Sequence, residues 1–158
     1  MEINYIEMMI QSLEKKKKLL NQISELNIEQ KMLLQDPNLE VDDFEQNMKR
    51  KGTLIEEIGL LDDGFEQLYE RVKEVLNTNR EQYAAQICKM QDLIRELSAL
   101  GVSVQAQEAR NKPLVEQKFA SVRKQVKSVR NSQKVVQQYY NNMVRAGGGT
   151  SKYVDDKH

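Results

Sequence analysis

The sequence has no tryptophan, two prolines, one cysteine and one histidine, and aromatic residues make up only 6% of it. Each shortage excludes something. A single cysteine, Cys88, allows no intramolecular disulfide. A lone histidine at the final position, His158, allows neither a histidine-based metal cluster nor a histidine-centred catalytic triad. Few aromatics and few turn-forming residues argue against a β-sandwich or a large α/β core. No apolar run is long enough to cross a bilayer, and Met1-Glu2-Ile3-Asn4-Tyr5 lacks the basic start and apolar stretch of a signal peptide. The expectation is a soluble, cytoplasmic protein with no membrane insertion, no metal and no cofactor.

What is present is charge and helical periodicity. The 158 residues carry 24 basic and 24 acidic side chains, but the balance is uneven along the chain. Residues 1–100 hold 13 Lys or Arg against 20 Asp or Glu, and residues 101–158 hold 11 against 4, so −7 and +7 cancel. Two readings stand: a basic helix lying beside an acidic one within the molecule, or a basic segment that meets an acidic partner.

Apolar residues at Ile6, Met9, Ile10, Leu13, Leu20, Ile23, Leu26, Leu33 and Leu34 make one stripe on a first helix, residues 2–34. Lys15 to Lys18 interrupt it, and their aliphatic stems are expected to cover the seam edge while the ammonium groups reach water. Pro37 breaks the pattern. A second helix follows at 42–77, capped by Asp42 or Asp43. Its heptads are Leu54, Leu61, Leu68 and Val75, and Ile58, Phe65 and Val72. Their register runs unbroken across Gly52, Gly59 and Gly64, with Asp62-Asp63-Gly64 the expected place for a distortion.

Asn77-Thr78-Asn79 marks the next turn. Beyond it, steps of three and four run from Tyr83 through Ile87, Met90, Ile94, Leu97, Gly101, Val104, Glu108, Asn111 and Val115. After one stutter they continue through Phe119, Val122, Val126, Val129, Gln133, Val136, Tyr140 and Met143. This predicts a third helix over 80–145, about 100 Å long. Pro113 is expected to kink it rather than reverse it. Ala146-Gly147-Gly148-Gly149 opens a flexible linker and tail, 147–158, after a single domain of residues 1–146. The fold class is all-α: an elongated antiparallel bundle of three long helices, the third longest and kinked near Pro113. A four-helix up-down bundle is the alternative.

No constellation reads as a catalytic site. Glu56-Glu57 and Asp62-Asp63 are adjacent on a helix and point about 100° apart, so they do not converge as an acid and base must. Cys88, beside Ile87 on the seam, reads as a small buried hydrophobe. The chain is therefore not expected to be an enzyme. Glu108, Asn111 and Gln133 are polar at seam positions, where such residues lower stability and fix register or partner choice. If the third helix runs past its neighbours, Val115, Phe119, Val122, Val126, Val129 and Val136 form an exposed apolar stripe bordered by Lys118, Arg123, Lys124, Lys127, Arg130 and Lys134. That surface suits capture of a partner helix; in a four-helix bundle the protein buries it itself. Self-assembly through the same seam is the competing structural reading. Nucleic-acid binding by the basic helix is disfavoured by the scattered aromatics.

The stretch from Met48 through Lys51-Gly52-Thr53-Leu54-Ile55-Glu56-Glu57-Ile58 to Leu61 resembles the FlgN/FliT-type flagellar export chaperones. So, above all, does Gln105-Ala106-Gln107-Glu108-Ala109-Arg110-Asn111-Lys112-Pro113-Leu114-Val115, an Asn followed by paired aliphatics in a long C-terminal helix. The likeness spans nearly the whole chain and departs from the family at Pro113 and in its strongly basic C-terminal region. It implies a small chaperone that binds the helical terminal region of a hook-associated or filament-cap protein. The chaperone would keep that protein unpolymerised and deliver it to the flagellar type III export gate. By the same resemblance, the seam from Val115 to Val136 contacts the substrate and Tyr139-Tyr140 docks at the gate. Whether the chain dimerises stays open.

Overall fold

A computed structural model describes residues 2–121 and 133–143 of the chain. Three long helices follow one another: α1, Glu2–Gln35; α2, Val41–Thr78; and α3, Ala84–Ser121. A short fourth helix, α4, covers residues 133–143.

The first connection is a tight turn made by Pro37 and its neighbours. The Asp36 carboxylate accepts the Asn38 backbone N–H at 2.9 Å, and the Asp36 carbonyl accepts that of Leu39 at 3.3 Å. Helix α2 begins one residue earlier than expected. Glu40 stands at its N-cap without a side-chain cap bond, and Asp42 and Asp43 fall in the first turn, where they complement the helix dipole instead of capping it. The helix continues through Gly52, Gly59 and the Asp62-Asp63-Gly64 stretch. It ends where Asn79 donates its backbone N–H to the Val75 carbonyl at 2.9 Å.

Side-chain pairs set the directions. Glu14 with Lys89, Lys17 with Glu96 and Asn27 with Gln107 place α3 parallel to α1. Lys16 with Asp62 and Glu29 with Arg50 place α2 antiparallel to both. Helix α1 packs extensively along α2 and along α3. The core it organises is fully apolar toward its own N-terminus: Ile6, Met9, Val72 and Met90 are all completely buried. Burying such a side chain contributes about 1.5–3 kcal/mol, so this end needs no further device to hold it together.

The third helix does not run to residue 145. Helix α3 passes through Pro113 without ending there, but residues 133–143 lie back along it. Tyr139 reaches Glu108, 31 positions earlier, at 2.5 Å, whereas a continuous helix would hold those residues about 46 Å apart. Tyr140 meets Lys112 while Val136 and Gln133 line one groove with Phe119 and Ala120, so α4 is antiparallel to α3. The four-helix arrangement therefore exists at one end of the molecule and a three-helix arrangement at the other. Residues 122–132 lie outside the described residues, as do the linker and tail expected at 147–158.

Two smaller expectations also change. Cys88 is exposed, because it stands about 100° around the helix from the seam residue Ile87. Lys16 does not reach water. It is 4% exposed and binds Asp62 at 2.7 Å.

Candidate functional site

The half of the bundle where α4 sits is built differently from the other half. Seam positions there carry polar side chains, and these bond to one another across all four helices. On α1, Gln30 is fully buried; on α2, so is Lys51; on α3, Glu108 and Asn111 are nearly so. Asn111 donates to the Asn27 carbonyl at 3.0 Å and to Gln30 Oε1 at 3.1 Å. Gln30 donates in turn to Asn47 Oδ1 at 3.3 Å, and Asn47 to the Leu26 carbonyl at 2.9 Å. Chains of this kind satisfy groups that would each cost about 1–3 kcal/mol if buried unpaired.

Lys51 and Glu108 form the charged centre of this network. The ammonium lies 2.7 Å from Glu108 Oε1 and 3.4 Å from Gln30 Oε1. Burial holds the Lys51 pKa below its ordinary value, against the pull of Glu108 in the other direction. Helix α4 completes the arrangement from outside. Tyr139, 1% exposed, donates its hydroxyl to Glu108 Oε1 at 2.5 Å, and the Lys51 ammonium stands 4.2 Å from the centre of its ring. One phenol thus serves both charges: its O–H faces the carboxylate and its π face the ammonium. Burial first, then the Glu108 charge, pushes the Tyr139 pKa far upward. Glu108 Oε2 has no hydrogen-bond partner among the described residues.

Beyond this centre lies the apolar seam. Val115 and Phe119 are buried, and Phe119 meets Phe44 edge to face with ring centres 5.3 Å apart, closing the end of the bundle between α2 and α3. Lys118 donates to the Asp36 carbonyl at 2.8 Å, which ties the end of α3 to the first turn. Between α3 and α4 runs a half-open groove of about 440 Å³, with Val115, Phe119 and Val136 among its walls and Lys112 and Glu116 on its rim. Val136 and Tyr140 are half-buried.

Of the residues expected to contact a substrate, Val115, Phe119 and Val136 thus come together around one groove. Val122, Val126 and Val129 lie outside the described residues. Tyr139 and Tyr140 sit side by side, 5.7 Å between ring centres, with Tyr139 turned inward. Sequence reasoning missed Lys51, Gln30 and Asn47. A signal for Lys51 existed: it precedes Ile58, Phe65 and Val72 at heptad spacing, so a lysine occupied a position that should be apolar.

The charge asymmetry finds no matching pairing of a basic C-terminal helix with an acidic partner helix in the described ion pairs. Lys51, from the acidic part of the chain, pairs instead with Glu108, from the basic part. Among the described residues no helix is long and apolar enough to cross a membrane.

The family model described as FlgN protein matches residues 1–145, which takes in all three long helices, α4 and the polar centre. No curated protein and no solved structure matches the chain. The match covers the fold and the seam together, and the chain belongs to the FlgN family of flagellar export chaperones.

Proposed function

We propose that this protein is a cytoplasmic flagellar type III export chaperone, without catalytic activity. It binds the helical terminal region of a hook-associated or filament-cap protein, prevents its premature self-association and delivers it to the export gate. Binding a segment that would otherwise polymerise lowers its free concentration by mass action. The observation that supports this reading most directly is the groove of about 440 Å³ beside Val115, Phe119 and Val136. It is a trough of mixed lining, with Val115, Phe119 and Val136 beside Lys112, Glu116, Gln133 and Gln137, at the place where the α3 seam meets α4. Helix-in-groove capture uses surfaces of this kind.

The substrate-facing residues in this reading are Val115, Phe119 and Val136, together with Val122, Val126 and Val129. Tyr140 can meet the export gate while α4 stays seated. Tyr139, being buried, is available to the gate only after α4 has left. No nucleic acid takes part.

Val136→Asp places a charge in the groove from a half-buried position, so the fold tolerates it better than a charge at buried Phe119. The expected result is loss of co-purification with a helical terminal fragment of a hook-associated protein, while helicity by circular dichroism stays unchanged. Retained capture by this variant would contradict the assignment of the groove.

A further inference from the structure

We propose that the polar centre made by Lys51, Glu108 and Gln30 is a receptor for a tyrosine carried on the client's helix, a place that Tyr139 fills when no client is bound. The inference rests on the client-binding reading above and names a feature that the client helix must carry.

The chemistry of the place is selective. Lys51 and Glu108 are a buried ion pair at 2.7 Å with 0% and 6% of their side chains exposed, and such a pair is tolerable only when its remaining donors and acceptors are served. A phenol adds a partner to each charge at once, as Tyr139 shows with its hydroxyl on Glu108 Oε1 and its ring 4.2 Å from the ammonium. A phenylalanine would add no donor to the carboxylate, an aliphatic residue would add nothing to either charge, and a second charge would be buried without a partner. Glu108 Oε2, buried without a partner among the described residues, leaves the carboxylate able to accept a further donor from whatever helix lies above it.

The element now holding that place is suited to exchange. Helix α4, described over residues 133–143, is held to the bundle by few anchors. Gln133, Lys134, Gln137 and Gln138 face solvent, while Tyr139 and Met143 are its buried anchors. It also fits incompletely, leaving the groove of about 440 Å³ beside Val115, Phe119 and Val136. A helix bearing tyrosine at the Tyr139 place and a larger apolar residue than valine three positions before it would make the same polar contacts and fill more of the groove. By differential affinity it would displace α4.

The test uses the full chain carrying Tyr139→Ala, which empties the place without altering Lys51 or Glu108. The probes are two fluorescent peptides of the sequence 131–145, stapled into helices on their solvent face, one native and one with Tyr139→Phe. Fluorescence anisotropy should show the tyrosine peptide binding at least about tenfold more tightly, the factor expected for a hydrogen bond to a buried charge. Adding Lys51→Met and Glu108→Leu to the chain should erase that preference. Equal affinities for the two peptides, or no binding of either, would overturn the proposal. If Tyr139→Ala loses its helical signal, Tyr139→Phe in the full chain carries the same comparison. A hook-associated fragment that binds wild type and the Lys51→Met, Glu108→Leu chain equally well would overturn the receptor while sparing the chaperone reading. A tyrosine preference among the peptides without capture of any such fragment would sink that reading and leave the receptor standing.

Discussion

The two ends of the bundle bury their seams by different means. Around the N-terminus of α1, three helices meet through Ile6, Met9, Val72 and Met90. At the other end, four helices meet through Gln30, Asn47, Lys51, Glu108, Asn111 and Tyr139. An apolar interface accepts any partner of suitable shape. A polar one is favourable only when each donor finds its acceptor, so it accepts few arrangements and penalises the rest. The polar end is also the end that carries the groove, so in the proposed reading it is where client and other amphipathic helices would be told apart.

The largest expected effect comes from breaking the polar end in half. Lys51→Ala leaves Glu108 buried without its counter-charge and should destabilise the protein by about 3–5 kcal/mol in denaturant unfolding. The joint change Lys51→Met with Glu108→Leu removes both charges and should be far milder, or stabilising. If both variants lose the same stability, the polar end holds the fold by packing alone and the contrast between the ends fails.

A smaller effect separates the hydroxyl from the ring. Tyr139→Phe keeps the contact with Lys51 and loses the bond to Glu108, at about 1.5–3 kcal/mol. It should also change the alkaline limb of the stability curve. The Tyr139 phenol is held above its ordinary pKa of 10.0 in the folded chain, so the folded state keeps a proton that the unfolded state releases. Its contribution is complete below pH 10 and is lost as the pH rises above that value. Lys51, whose pKa is lowered, contributes in the opposite sense: its cost is relieved as the pH rises toward 10.5. The stability of Tyr139→Phe should therefore fall less steeply between about pH 10 and 11 than that of the wild type, by the slope that one titrating group supplies.

The smallest effect lies between the two ends, on α2. Gly59 is helical, and a Cβ placed on it would meet nothing within 4 Å, so Gly59→Ala should stabilise the protein by about 1 kcal/mol through helix propensity. A loss of stability there would indicate a close approach to Gly59 that the monomer lacks.

Helices α1 and α2 were legible to within a few residues because their apolar heptads stop where Pro37 and Asn77-Thr78-Asn79 interrupt them. The end of α3 was not. The three-four spacing from Val115 to Met143 is the same whether a helix continues or a second one folds back upon it, since both bury the same stripe. Pro113 is the local breaker in the sequence, but a helix can absorb one lost hydrogen bond where packing on both sides holds it. Glu108 and Asn111 were visible as polar seam residues, and they do form the polar centre. Their partners are harder to find: Gln30 reads as an ordinary surface residue, and the heptad position of Lys51 marks it as unusual without naming the residue it meets. The meeting of Tyr139 with Lys51, 88 positions apart along the chain, depends on that tertiary arrangement and leaves no local mark.

The central claim is that a client helix takes the place of α4 on the seam of α3. Amide hydrogen exchange of the full chain, with and without a saturating helical terminal fragment of a hook-associated protein, tests it directly. The account predicts that residues 133–143 lose protection when the fragment binds while the buried positions of α1, α2 and α3 keep theirs. Bound fragment with the protection of 133–143 unchanged or increased would contradict it.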